Sequence, residues 1–127
     1  MPKWDEYKQI ARSRGALALE LFVVNSTAER PQEIPEVLPD HLAYQAKLES
    51  EGKLAFAGPM SDPSGQEQAG DGMIIYRAAS MEDARALAEA DPMHAKGVRS
   101  FTLRKWLINE GSFTLNVGLS GKRVSLD

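Results

Sequence analysis

A chain of 127 residues, 43% hydrophobic and 26% charged, can bury one real core but has no room for a second full domain. Its net charge of -3, with lysines and arginines scattered rather than clustered, argues against nucleic acid and anionic membranes as partners. Cysteine is absent, which excludes disulfides, thiolate metal sites and thiol catalysis and suits a reducing cytoplasm.

The opening Met1-Pro2-Lys3-Trp4-Asp5-Glu6-Tyr7 is charged where a secretory signal is apolar. No later run approaches the roughly 18 apolar residues that span a bilayer, so a soluble cytoplasmic protein is expected. Trp4, Tyr7 and Ile10 or Ala11 recur at helical spacing and predict a surface helix over 3–13, stopped at Gly15. Residues 16–24 read as a strand with both faces covered, because Leu17, Leu19, Leu21 and Val23 alternate with residues that are themselves mostly apolar. Residues 25–39, with Pro31, Pro35 and Pro39 among polar residues, read as an irregular loop. A helix follows from about Asp40 to Glu51, ended by Gly52, with His41, Tyr44 and Leu48 on one stripe.

Residues 53–60 form a short strand closed by Gly58-Pro59, and a polar connection through Gly72 leads to a second strand at 73–77, a hairpin with a long loop. Ser80-Met81-Glu82-Asp83 is a capping box with Asp in place of the usual Glu and opens a helix over 81–89. After the turn around Asp91 comes a strand over 98–107, with Val98, Ser100, Thr102, Arg104 and Trp106 on one face and Arg99, Phe101, Leu103, Lys105 and Leu107 on the other. From residue 16 the order is strand, helix, strand, strand, helix, strand. That is the split βαβ, or ferredoxin-like, arrangement of an α+β domain. The tail over 111–127 reads as a hairpin, 112–117 against 123–126 around Ser120-Gly121, and needs its own sheet or a partner subunit to pack on.

Phosphate-loop, dinucleotide and metalloprotease patterns are absent, so no cofactor is expected. Nor is a metal, since His41 and His94 lie on separate elements without a close ligand pair around either. The densest cluster of chemistry is Ala90-Asp91-Pro92-Met93-His94, which puts a carboxylate, a proline and an imidazole in one turn. Asp before Pro is also a common helix start, with the carboxylate capping free N–H groups. His41, in the first turn of the expected helix, meets the positive end of the macrodipole, which favours a neutral ring able to act as a base. Were the fold to bring Asp91 to His41, the carboxylate would set the ring's tautomer and orientation for proton transfer. His94 is the rival partner for Asp91. Tyr44, one turn beyond His41, lines the same pocket or belongs to the core.

Several of these pieces together resemble the YCII-related proteins. They are Pro39-Asp40-His41-Leu42, Glu51-Gly52-Lys53-Leu54-Ala55-Phe56-Ala57-Gly58-Pro59, the helix over 80–90, and Ala90-Asp91-Pro92-Met93 with Gly97-Val98 entering the last strand. In the family's order they cover roughly 16–110 of a single 1–127 domain, leaving the N-terminal helix and the tail from Gly111 outside. The resemblance implies a ferredoxin-like fold that pairs into a dimeric α+β barrel, with a pocket whose histidine and aspartate match His41 and Asp91. The family is similar in fold to muconolactone isomerases and cofactor-free monooxygenases, and one branch is implicated in dehydrochlorination of a hydroxylated aromatic.

The expectation is therefore a cofactor-independent enzyme that moves a proton on a small aromatic or enolisable metabolite, as an isomerase or lyase. His41 would be the base or acid and Asp91 its orienting partner. Tyr44, Gly58 and Met93 would form the pocket wall, and Arg104 or Ser100 would hold an anionic substrate. The alternative is a non-catalytic ligand-binding or assembly domain in which Asp91 is only a cap. A homodimer is expected because two helices cover only one face of the sheet.

Overall fold

A computed structural model describes residues 1–126. In chain order the elements are α1 (Trp4–Ser13), β1 (Leu19–Ala28), a 3-10 turn (Pro31–Glu33), α2 (Ile34–Ser50), β2 (Leu54–Ser61), β3 (Gln68–Tyr76), α3 (Met81–Ala90), the one-turn α4 (Pro92–Ala95), β4 (Arg99–Ile108), and the short β5 (Asn116–Gly118) and β6 (Arg123–Ser125). No helix among the described residues is long and apolar enough to cross a membrane.

Local chemistry accounts for most boundaries. Gly15 adopts φ +82° just past the end of α1, a conformation that costs glycine little and other residues more. The Ser80 hydroxyl accepts from the Asp83 N–H at 3.1 Å and starts α3. The largest departure from expectation is α2, which begins at Ile34 rather than Asp40. Pro35 sits in the first turn, where its missing N–H leaves nothing unsatisfied, and Pro39 lies inside the helix. Val37 is buried with Met93 and Val98, with Ile34 packed against them, so apolar packing holds the early turns helical despite the prolines. His41 consequently lies two turns into α2, beyond the reach of the macrodipole invoked for it from sequence. β1 also runs to Ala28, so Asn25, Ser26 and Thr27 are strand rather than loop.

The chain divides into two compact units, residues 20–106 and residues 1–19 with 107–127. The larger carries a four-stranded sheet in the order β2-β3-β1-β4. β1 pairs antiparallel with β3 from Phe22↔Tyr76 to Ser26↔Gly72, and β2 pairs antiparallel with β3 from Leu54↔Tyr76 to Ser61↔Gln68, with irregularities after Leu54 and Pro59. This mixed α/β architecture, an antiparallel sheet with helices, is consistent with the ferredoxin-like fold. Phe22 and Val24 of β1, Ile74 and Tyr76 of β3 and Leu103 of β4 form a core with Leu48 of α2 and Ala84 and Ala88 of α3. Small residues on α3 permit close approach to the sheet. Leu21, Val23 and Ile75, on the alternate face, are buried as well.

In the smaller unit, Ala11 of α1 packs with Ala18 and Leu107, flanked by Trp4 and Ala16. β5 and β6 pair antiparallel from Asn116↔Ser125 to Gly118↔Arg123 as a separate two-stranded ladder, shorter than the hairpin expected from the tail.

Candidate active site

Asp91 is the pivot of the site. It closes α3 and caps α4, where its Oδ1 accepts from the Met93 N–H at 2.9 Å and Pro92 takes the first helical position. The same carboxylate faces the His41 ring, with Nδ1 at 2.8 Å from Oδ1 and 2.9 Å from Oδ2. Asp91 is 0% exposed and His41 6%. A carboxylate only accepts hydrogen bonds, so the His41 Nδ1 carries a proton, and in the neutral tautomer this fixes, the lone pair is on Nε2. Residues 50 positions apart thus meet because α2 and the α3–α4 turn lie side by side.

His94, the rival partner for Asp91, is engaged elsewhere. Its Nδ1 donates to the Ala88 carbonyl at 2.7 Å, and its Nε2 lies 2.8 Å from the Ser26 hydroxyl. Because Nδ1 carries the proton, the Ser26 hydroxyl donates to Nε2. The ring also lies 4.7 Å from that of Phe101, centre to centre. Burial holds the His94 pKa below the usual histidine range, only partly opposed by the Ala88 carbonyl and the Asp91 charge, so the ring rests neutral.

His41 and Ser26 line one pocket of about 260 Å³. One wall is α2, with Leu38, Leu42 and Gln45; the other is the end of the sheet, with Gly58, Pro59 and Gly72. A Cβ on Gly72 would come within 3.1 Å of the Gly58 carbonyl, so glycine there lets β2 and β3 close up beneath the cavity. Arg99, at the start of β4, supplies the pocket's positive charge. Its Nε is buried with no hydrogen-bond partner among the described residues.

The sequence candidates separate accordingly. Gly58 lines the pocket with His41. Tyr44 does not line it: its hydroxyl donates to the Leu87 carbonyl at 2.7 Å and the ring packs against the core. Met93 is fully buried with Val37 and Val98 rather than in the pocket wall. Arg104 lies on the opposite face of the sheet, in a groove of about 330 Å³ with Val23, Asn25, Met73 and Trp106. Ser100 donates to the exposed Glu29 carboxylate at 2.6 Å. Arg99 and Ser26 were not among the candidates. Arg99 differs from Arg104 by five positions, an odd number, so a strand must put them on opposite faces.

Tyr76 is completely buried and its hydroxyl has no partner among the described residues. Burial raises the pKa of this phenol strongly and the Asp91 charge adds to the shift, so it stays neutral. Tyr44 is raised for the same reasons, with Glu51 contributing. No group of three or more His, Asp or Glu side chains is placed to hold a metal ion among the described residues.

Known proteins resemble this chain at two levels, fold and sequence. A solved structure of 5-chloro-2-hydroxyhydroquinone dehydrochlorinase (TftG) from Burkholderia phenoliruptrix AC1100, in complex with 2,5-dihydroxybenzoquinone, superposes with a TM-score of 0.56 at 20% identity, covering 68% of this chain and 92% of that one. At that identity the likeness is one of fold. Uncharacterized protein YjpA of Bacillus subtilis (strain 168) is 29% identical over 75 residues, 59% of this chain and 81% of the relative. The sequence pattern of the YCII-related domain matches residues 19–107, which hold His41, Asp91, Ser26, His94 and all but the last residue of the four strands of the main sheet, and the chain belongs to that family.

Proposed function

We propose that this protein is a cofactor-independent enzyme that moves a proton on a small hydroxylated aromatic or enolisable metabolite, an isomerase or a lyase of the dehydrochlorinase type. The observation that carries the reading is the His41–Asp91 contact at 2.8 Å in the wall of a pocket that also holds Arg99. The carboxylate keeps the ring in one tautomer and orientation, and Nε2 exchanges a proton with the substrate. As a proton leaves carbon, its electron pair moves onto a substrate oxygen facing Arg99, whose charge offsets the developing anion. The pair then returns to another carbon, which takes the proton back from Nε2, giving isomerisation, or expels an anionic leaving group, giving elimination. A cavity of about 260 Å³ suits a one-ring molecule, and the related fold's dihydroxybenzoquinone is a compound of that size.

A second copy of the chain is part of the proposal. On the face of the sheet away from the helices, Trp106 of β4 is 45% exposed and offers apolar surface to a partner. Light scattering at micromolar concentration is expected to give a dimer, and a strict monomer would remove this element.

A second reading has one observation in its favour. Asp91 also caps α4 through the Met93 N–H, so the residue would be required in a ligand-binding domain without catalysis. The test is to incubate the protein with hydroxyquinols, chlorinated hydroxyquinols and hydroxybenzoquinones in deuterated water and to follow ring-carbon exchange by NMR and, for the chlorinated compounds, chloride release. Catalysed exchange or halide release that disappears in His41→Asn is expected. Binding without either reaction across the panel leaves the non-catalytic reading in place.

A further inference from the structure

The pocket holds a second proton-handling pair that the His41–Asp91 reading does not use. The Ser26 hydroxyl, 2% exposed, lines the cavity and donates to His94 Nε2 at 2.8 Å. A serine whose hydrogen is committed to an imidazole has its oxygen lone pairs available to accept from a ligand. His94 is held from behind by the Ala88 carbonyl at 2.7 Å, which fixes the tautomer in which Nε2 is basic.

We propose that Ser26 and His94 form a relay that deprotonates a hydroxyl group of the bound substrate. The substrate O–H gives its proton to Ser26 Oγ as the Ser26 hydrogen passes to His94 Nε2. Two O–H bonds exchange for one O–H and one N–H bond, and the products are a substrate oxyanion and an imidazolium. Arg99, in the same pocket, faces the oxyanion. Asp91 is the charge that favours the imidazolium, while His41 and Arg99 oppose it when they carry positive charge. Burial keeps the resting ring neutral with Nε2 unprotonated and also opposes its protonation, so the imidazolium forms only with the Asp91 carboxylate and the new substrate oxyanion to balance it. Ser26 is the group that touches substrate; His94 acts through it.

The inference deepens the proton-transfer reading and rests on it for substrate class. One pair would handle the proton on oxygen and the other the proton on carbon, the two transfers that a tautomerisation or an elimination from a phenol needs.

The probe is 4-nitrophenol, whose absorbance reports its own ionisation, combined with ring-nitrogen NMR of the two histidines. The wild type is expected to raise the bound phenolate fraction at a given pH by about tenfold, equivalent to one pH unit, with His94 converting to imidazolium. Ser26→Ala and His94→Gln abolish both changes, and Ser26→Thr, which keeps the hydroxyl, restores them. Gln retains an acceptor for Ser26 but takes no proton, so ionisation that persists in His94→Gln would overturn the relay even where the fold is intact. Proton uptake at His41 instead of His94 would overturn it too, while leaving the His41–Asp91 reading standing. Failure of the wild type to bind 4-nitrophenol counts against both. Loss of carbon exchange in His41→Asn with phenol ionisation retained is the expected separation of the two pairs.

Discussion

His41 and His94 are the same chemical group, both held through a protonated Nδ1 and both near one pocket, yet their surroundings differ in one respect. His41 faces a carboxylate and His94 a backbone carbonyl and a serine hydroxyl. A carboxylate balances the charge that a ring gains on protonation, whereas a carbonyl and a hydroxyl orient the ring with only a partial compensation. The partner on Nδ1, rather than the histidine itself, therefore sets how readily each ring carries charge. In the function proposed, one ring exchanges a proton with substrate and the other stays neutral until a hydroxyl delivers one.

The largest effect expected is on the His41 side. His41→Asn should lower turnover of any substrate found by about 10²–10⁴-fold, the usual range for a general acid or base, with an unchanged circular dichroism spectrum. Steady-state rates decide this; a loss under tenfold would make His41 a contact rather than the acid or base. Next is the double duty of Asp91. Asp91→Ala removes the cap of α4, worth about 1 kcal/mol, and leaves the buried His41 N–H unpaired, worth about 1–3 kcal/mol more. Urea midpoints should place it well below Asp91→Asn, which keeps an oxygen for Met93. Equal stability of the two variants would show that the cap contributes nothing.

The positive groups on the two faces of the sheet sharpen the contrast. Arg99→Gln is expected to weaken binding of an anionic one-ring ligand by about tenfold or more, consistent with the roughly 1.5–3 kcal/mol of a hydrogen bond to a charged group, and Arg104→Gln to leave it unchanged. Calorimetric titration with a phenolate reads both, and the reverse order would move the anion site to the other groove. A smaller effect is expected from His94 on stability. Because its folded pKa is lowered by burial, the unfolded chain binds more protons between that value and about 6.5. The stability contributed by the neutral ring is complete above about 6.5 and is lost as pH falls through that window. Melting temperature should drop on acidification, and His94→Gln should reduce that slope. The smallest change expected is Tyr76→Phe, which deletes a buried hydroxyl without a partner and should be neutral or stabilising by up to about 1 kcal/mol.

The order of elements was legible because alternation, glycine stops and the Ser80 cap are local signals. The start of α2 was not: Pro31, Pro35 and Pro39 imitate a loop, and only the burial of Val37 beside Met93 and Val98 shows why the chain stays helical there. The same prolines made His41 look like part of a helix start it does not occupy. Ser26 was hidden for a similar reason, since Asn25-Ser26-Thr27 is polar and reads as the start of the loop, whereas β1 continues through it and Ser26 pairs with Gly72 of β3. Parity on β4 separates Arg99 from Arg104, but which set faces the helices depends on Phe101 and Leu103 packing inward, a tertiary fact. The Asp91–Pro92 cap was visible in the sequence, and its approach to His41 was implied by family resemblance rather than by spacing.

The measurement that bears most directly on the central claim is the ring-nitrogen NMR spectrum of both histidines at mildly alkaline pH, in the wild type and in Asp91→Asn. If Asp91 sets the proton on His41, the wild-type ring shows its proton on Nδ1 and the substitution changes the His41 nitrogen shifts, while those of His94, tied to Ala88 and Ser26, stay in place as an internal record that the fold persists. His41 shifts that do not move when the carboxylate is neutralised would contradict the claim that the two residues work as a pair.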